Sequence, residues 1–122
     1  MTLIKKHRLV IIEDNMEYLK TISEIINLED DFLIVAQHHN AEDAINTIEN
    51  DCPDIILLDL NLPDISGLEL LTTFRPNLKH IKLLVLTAYS DAEKVFEALC
   101  NGASGYVLKS MSVNQIIISM RD

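Results

Sequence analysis

The 122-residue chain is short of several things, and each shortage excludes something. It has two cysteines, Cys52 and Cys100, without CxxC spacing. They build no disulfide framework; a reduced cytoplasmic protein is expected, with both thiols as small buried hydrophobes. No apolar run approaches the roughly 20 residues of a membrane span. The opening stretch Met1–His7 lacks the continuous apolar core of a signal peptide. Basic residues are few: ten Lys and Arg stand against nineteen Asp and Glu, a formal net charge of −9. Such a chain repels nucleic acid and anionic membranes, so direct binding to either is not expected. Repeats, low-complexity tracts and internal linkers are absent.

What is present suffices for one domain with its own core, residues 1–122. An apolar fraction of 48% and a mean hydropathy of +0.17 argue against disorder. Five short apolar runs, Leu9–Ile12, Phe32–Ala36, Ile55–Leu58, Leu83–Leu86 and Tyr106–Leu108, lack clean polar alternation, which suits strands covered on both faces. Apolar stripes at helical spacing lie between them. These are Met16, Leu19, Ile22 and Ile26; Ala41, Ala44, Ile45 and Ile48; Leu68, Leu70, Leu71 and Phe74; and Val95, Phe96, Leu99 and Cys100. Asn40, Ser66, Ser90 and Ser112 stand where helix N-caps are wanted, and Pro76 and Gly102 where helices stop. A fifth helix begins at Val113 and runs to Asp122. Met16 and Met120 fall within apolar stripes and read as core or interface.

The pattern predicts an α/β, three-layer (βα)₅ fold: a doubly wound five-stranded parallel sheet of flavodoxin-like order 2-1-3-4-5. Ligands of such sheets bind at the carboxyl ends of the strands, so the residues that follow each strand carry the function. There the chain places Glu13 and Asp14 after the first strand, Asp59 at the end of the third, Thr87 at the end of the fourth and Lys109 after the fifth. Clustered carboxylates repel one another, and a divalent, oxygen-loving ion such as Mg²⁺ removes the penalty. Mg²⁺ and Lys109 together offer what a phosphoryl group in transfer needs, with Thr87 as a hydrogen-bond donor and Asp59 as nucleophile.

Glu13-Asp14, Leu58-Asp59-Leu60-Asn61-Leu62-Pro63-Asp64-Ile65-Ser66-Gly67, Thr87-Ala88 and Gly102–Lys109 together resemble the receiver domain of two-component response regulators, most closely its NarL/LuxR-type subgroup. The resemblance spans essentially the whole chain. It implies that Asp59 accepts a phosphoryl group from a sensor histidine kinase or phosphotransfer protein. Asp14 and Asp59 would bind Mg²⁺ (or Mn²⁺ as a substitute) directly, Glu13 through water and Asn61 through its backbone carbonyl. Thr87 and Lys109 would hold phosphoryl oxygens, and Tyr106 would be the aromatic switch that follows Thr87. The fourth helix, fifth strand and fifth helix would report the state, and phosphorylation would favour a homodimer. DNA would be reached only through a C-terminal helix-turn-helix output domain outside these residues. Where many receivers have Lys-Pro, this chain has Lys109-Ser110, whose peptide is expected to be trans. Tyr89 and Asn61 are placed to influence phosphoryl lifetime.

The leading reading is therefore a signalling switch that turns over its own modification, not a metabolic enzyme. A degenerate receiver used only for protein contacts is the alternative among binding modules. An Mg²⁺-dependent aspartyl phosphatase would want an acid two residues after Asp59, where Asn61 stands. A flavodoxin-like FMN carrier would not place Glu13-Asp14-Asn15 where a phosphate must bind. His7, His38, His39 and His80 show no metal spacing and read as solvated or loop residues, and Asp64 reads as a turn residue after Pro63.

Overall fold

The computed structural model describes residues 5–88 and 92–122; the Ser90 cap, Tyr89 and most of the opening stretch lie outside them. The strands are β1 (His7–Ile12), β2 (Phe32–His38), β3 (Ile55–Asp59), β4 (Lys82–Thr87) and β5 (Gly105–Leu108). They alternate with α1 (Met16–Ile26), α2 (Ala41–Asp51), α3 (Gly67–Phe74), α4 (Ala92–Cys100) and α5 (Val113–Arg121). All pairings are parallel and the order is β2-β1-β3-β4-β5, as expected.

Strand alternation builds two cores. Leu9, Ile11, Leu57, Leu84, Leu86 and Val107 face α1 and α5, packing on Leu19, Ile22, Ile26, Ile116, Ile117 and Met120. Val10, Ile12, Ile56, Leu58, Leu83 and Val85 face the other side, against α2, α3 and Ala98 of α4. The inner strands β1, β3 and β4 read as continuous apolar runs because both faces are covered, whereas the edge strands β2 and β5 leave Leu33 and Tyr106 exposed, contrary to expectation.

Asn40, Ser66 and Ser112 cap α2, α3 and α5 through side-chain acceptors, and Gln115 completes a capping box with Ser112. Asn15 caps α1 as well. Gly102 follows α4 with φ +108°, a left-handed conformation that suits glycine. Pro76 lies inside a 3₁₀ turn, Arg75–Asn77, that continues α3 before the chain turns. No peptide bond among the described residues is cis, Lys109–Ser110 included.

Several expected core residues are at the surface. Both cysteines are exposed: Cys52 occupies the left-handed C-cap of α2, with φ 48°, and its thiol donates to the Glu49 carbonyl. Met16, at the first position of α1, projects beyond the packed turns and is 57% exposed. Ile45 sits on the shoulder of α2. Along α4 only Val95 and Ala98 reach the core, so Phe96, Leu99 and Cys100 look outward. The edge position of β5 explains this, since among the described residues no further strand extends the sheet beneath them. His38 departs in the opposite sense. It is buried at the end of β2, its Nε2 3.2 Å from both Asp51 Oδ2 and Thr47 Oγ1. His39 and His80 are exposed outside strands and helices, whereas His7 is an exposed strand residue tilted against Phe32.

Candidate functional site

The α1/α5-facing rows of three strands end in charge. Leu9-Ile11 continues to Glu13, Ile55-Leu57 to Asp59, and Val107 to Lys109, by simple two-residue alternation. The sheet thus delivers two carboxylates and an ammonium to one edge. Lys109 Nζ makes direct ionic contact with Glu13 Oε1 and lies 3.2 Å from Asp59 Oδ2. Glu13 is fully buried, Asp59 is 1% exposed, and Asp14 opens to solvent. Oxygens of all three carboxylates lie within 4.8 Å of one another.

The loop after β3 is wound tightly around Asp59. The Asn61 N–H donates to Asp59 Oδ1 at 2.9 Å, and the Gly67 N–H closes the loop on the Leu60 carbonyl at 2.9 Å. A Cβ on Gly67 would stand 2.4 Å from the Asp59 carbonyl oxygen, so only glycine fits there. Thr87, at the buried end of β4, accepts the Lys109 N–H at its carbonyl, 2.8 Å away, which ties the fourth and fifth loops together. Tyr106 is about half exposed on edge strand β5, beside Val95, Phe96 and Leu99.

The charges respond to this crowding. Burial raises the Glu13 carboxyl from 4.5 to about 7, against the lowering pull of Lys109 and the Asn15 N–H, and Asp59 adds to the rise. Burial works against the Lys109 ammonium, but Glu13 and Asp59 outweigh it and hold the lysine protonated more firmly than usual. Three oxygen-bearing acids against one ammonium leave excess negative charge from hard donors, with one acid open to water. That donor set fits a small divalent cation such as Mg²⁺.

Tyr18 is a site neighbour that sequence patterning missed. Its ring lies beneath Lys109, with Nζ 5.2 Å from the centroid, a distance at which the ammonium is attracted to the π face. Its hydroxyl is buried without a partner among the described residues, and burial with the Glu13 and Asp59 charges pushes its pKa to about 12. The only sequence signal was its place in the first turns of α1, four residues after Asp14. Asp64, too, does more than turn the chain: its two oxygens accept the Ala41 and Glu42 N–H groups, each at 2.9 Å.

With this geometry in place, comparison gives the class. The family model for the response regulator receiver domain matches residues 9–121, and the chain belongs to that family. It is 33% identical to the transcriptional regulatory protein DegU of Brevibacillus brevis over 116 residues, 95% of this chain and 49% of that protein. To the nitrate/nitrite response regulator protein NarL of Escherichia coli K12 it is 32% identical over 109 residues, 89% of this chain and 50% of that protein. The chain thus spans about half the length of these curated relatives. A DNA-binding response regulator of the LuxR family from Staphylococcus aureus superposes with TM-score 0.87 at 30% identity, covering 94% of this chain and 96% of that one. The receiver domain of a NarL response regulator from Mycobacterium tuberculosis superposes with TM-score 0.90, covering 97% and 95%; at 24% identity it speaks to the fold alone.

Proposed function

We propose that the chain is one receiver domain acting as a phosphoacceptor switch, with Asp59 as the acceptor. The observation that carries this reading is the position of Lys109 Nζ between Glu13 and Asp59 Oδ2, beside three clustered carboxylates. An Asp59 oxygen attacks phosphorus, the new O–P bond forms, and the P–N bond of a phosphohistidine donor breaks with its electron pair passing to the imidazole. Asp14 and Asp59 would hold Mg²⁺ directly, Glu13 through water and Asn61 through its backbone carbonyl. The ion supplies neutralisation of the phosphoryl oxygens. Lys109 leaves its contact with Glu13 to meet one phosphoryl oxygen, and the Thr87 hydroxyl meets another. Tyr106 then follows Thr87 and changes the α4–β5–α5 face, stabilising one of two conformations. Hydrolysis of the acyl phosphate resets the switch, so the domain signals rather than carrying out metabolic turnover.

The donor is a sensor histidine kinase or a phosphotransfer protein in the cytoplasm. The output is transcription, through a helix-turn-helix domain outside these residues, with a homodimer favoured by phosphorylation; relatives named as a transcriptional regulatory protein and a DNA-binding response regulator support this output. The net charge of −9 argues against DNA contact by these residues themselves. Among the described residues no helix is long and apolar enough to cross a membrane. Incubation with Mg²⁺ and a small acyl-phosphate donor, followed by intact mass measurement, tests the reading. One phosphate adduct is expected, and none in Asp59→Asn. A folded, Mg²⁺-binding protein that takes up no phosphate would refute it.

A further inference from the structure

The loop after β3, which carries Asn61, is pinned to α2 by one of its own residues with no part in the chemistry, Asp64. The first N–H groups of a helix lack intrahelical partners. In α2 the first three are shared between two side chains: Asn40 Oδ1 accepts from Asp43 at 2.8 Å, while Asp64 takes Ala41 on Oδ1 and Glu42 on Oδ2. Asn40 is local to α2, but Asp64 reaches it from the loop after β3, 22 and 23 residues along the chain. A carboxylate at a helix N-terminus is held by aligned N–H groups as well as by the helix dipole. The N–H contacts lower the Asp64 pKa, so it stays ionised at neutral pH.

Following the bonds onward from α2 reaches the other ligand loop. Two residues before Asn40, the His38 carbonyl accepts the Glu13 N–H at 2.9 Å. The acids after β1 and the acid loop after β3 are therefore both referenced to the β2–α2 junction, one through His38 and one through Asp64. Inside its own loop, Gly67 closes on Leu60, the Asn61 N–H donates to Asp59 Oδ1, and Leu62 and Ile65 pack on the core; these contacts tie the loop to β3, while Asp64 supplies its hydrogen bonds to α2.

We infer that Asp64 is a positioning residue for the metal site: its clasp on the N-terminus of α2 fixes the 60–66 loop, and through it Asn61, relative to Glu13 and Asp14. This rests on the metal-binding reading above. The test compares Asp64→Ala, Asp64→Asn and Asn40→Ala in the full chain by two measurements. One is metal-free amide hydrogen exchange over residues 60–66; the other is Mg²⁺ affinity by calorimetry. Asp64→Ala and Asn40→Ala each remove an α2 cap, so both lower stability. Only Asp64→Ala should speed exchange across 60–66 severalfold and weaken Mg²⁺ by about tenfold, in line with the loss of a group that orients metal ligands. Asp64→Asn keeps one acceptor oxygen and should fall between.

Unchanged loop exchange in Asp64→Ala would overturn the inference, as would faster exchange with undiminished Mg²⁺ affinity. Equal effects from Asn40→Ala would also overturn it, by reducing the clasp to helix capping. Failure of the parent protein to take up Mg²⁺ would overturn the metal reading instead, and the exchange comparison would still decide whether Asp64 holds the loop.

Discussion

At Glu13 burial and a lysine pull in opposite directions, and burial wins. The carboxyl ionises near 7 when folded against 4.5 when unfolded, so the folded form binds the proton more tightly between those values. Its contribution to stability is then greatest below pH 4.5, falls as pH rises to about 7, and is level above. Glu13→Gln should flatten metal-free urea unfolding across that window and be more stable than the parent at pH 8. Mg²⁺ favours the ionised acid, so near pH 6 its binding should release a proton from Glu13. Calorimetry in buffers of different ionisation enthalpy measures that release, and Glu13→Gln should abolish it. Lys109→Met removes the ammonium from between two acids; the expected result is Mg²⁺ binding preserved and phosphate uptake slowed sharply, followed by intact mass over time.

At the scale of elements, the strands were legible because a strand buried on both faces has to be an apolar run, and Ile55–Leu58 and Leu83–Leu86 are little else. Their ends were legible for the same reason: Asp59 and Thr87 are polar residues where the runs stop. Helix faces were less so. The apolar pattern of α4 includes Phe96 and Leu99, yet the helix lies at a sheet edge and buries only Val95 and Ala98. Periodicity tells which residues share a face, and the sheet decides how much of that face is covered. Tyr18 under Lys109 and Asp64 on α2 were illegible because each joins residues far apart in the chain, across 91 positions for Tyr18 and 22 to 23 for Asp64. The elements themselves make two predictions. Ser112→Ala breaks the capping box of α5 and should cost about 1 kcal/mol in urea unfolding. Gly67→Ala must push a Cβ against the Asp59 backbone, and should cost about 1–3 kcal/mol while also impairing phosphate uptake.

Over the whole molecule, two apolar cores hold a rigid sheet, and the sheet holds like charges together at one edge. Folding thus gathers oxygens of Glu13, Asp14 and Asp59 within 4.8 Å of one another, an excess of acid that the proposed cation would offset, so Mg²⁺ should raise the unfolding midpoint. At about 100 times its dissociation constant the gain is about 2.7 kcal/mol. Asp14→Ala, which removes the solvent-facing acid proposed as a ligand, should lose most of that gain. The fold itself would survive, because Asp14 is outside both cores. The central claim is narrower than the fold: one carboxylate, Asp59, carries the phosphoryl group. Borohydride cleaves an acyl phosphate to a primary alcohol and leaves ordinary carboxylates intact, so the modified residue can be read directly. After phosphorylation with an acyl-phosphate donor and borohydride reduction, peptide mass mapping should find homoserine at position 59 and nowhere else. Homoserine at position 14, or a phosphorylated chain with none at 59, would contradict the assignment.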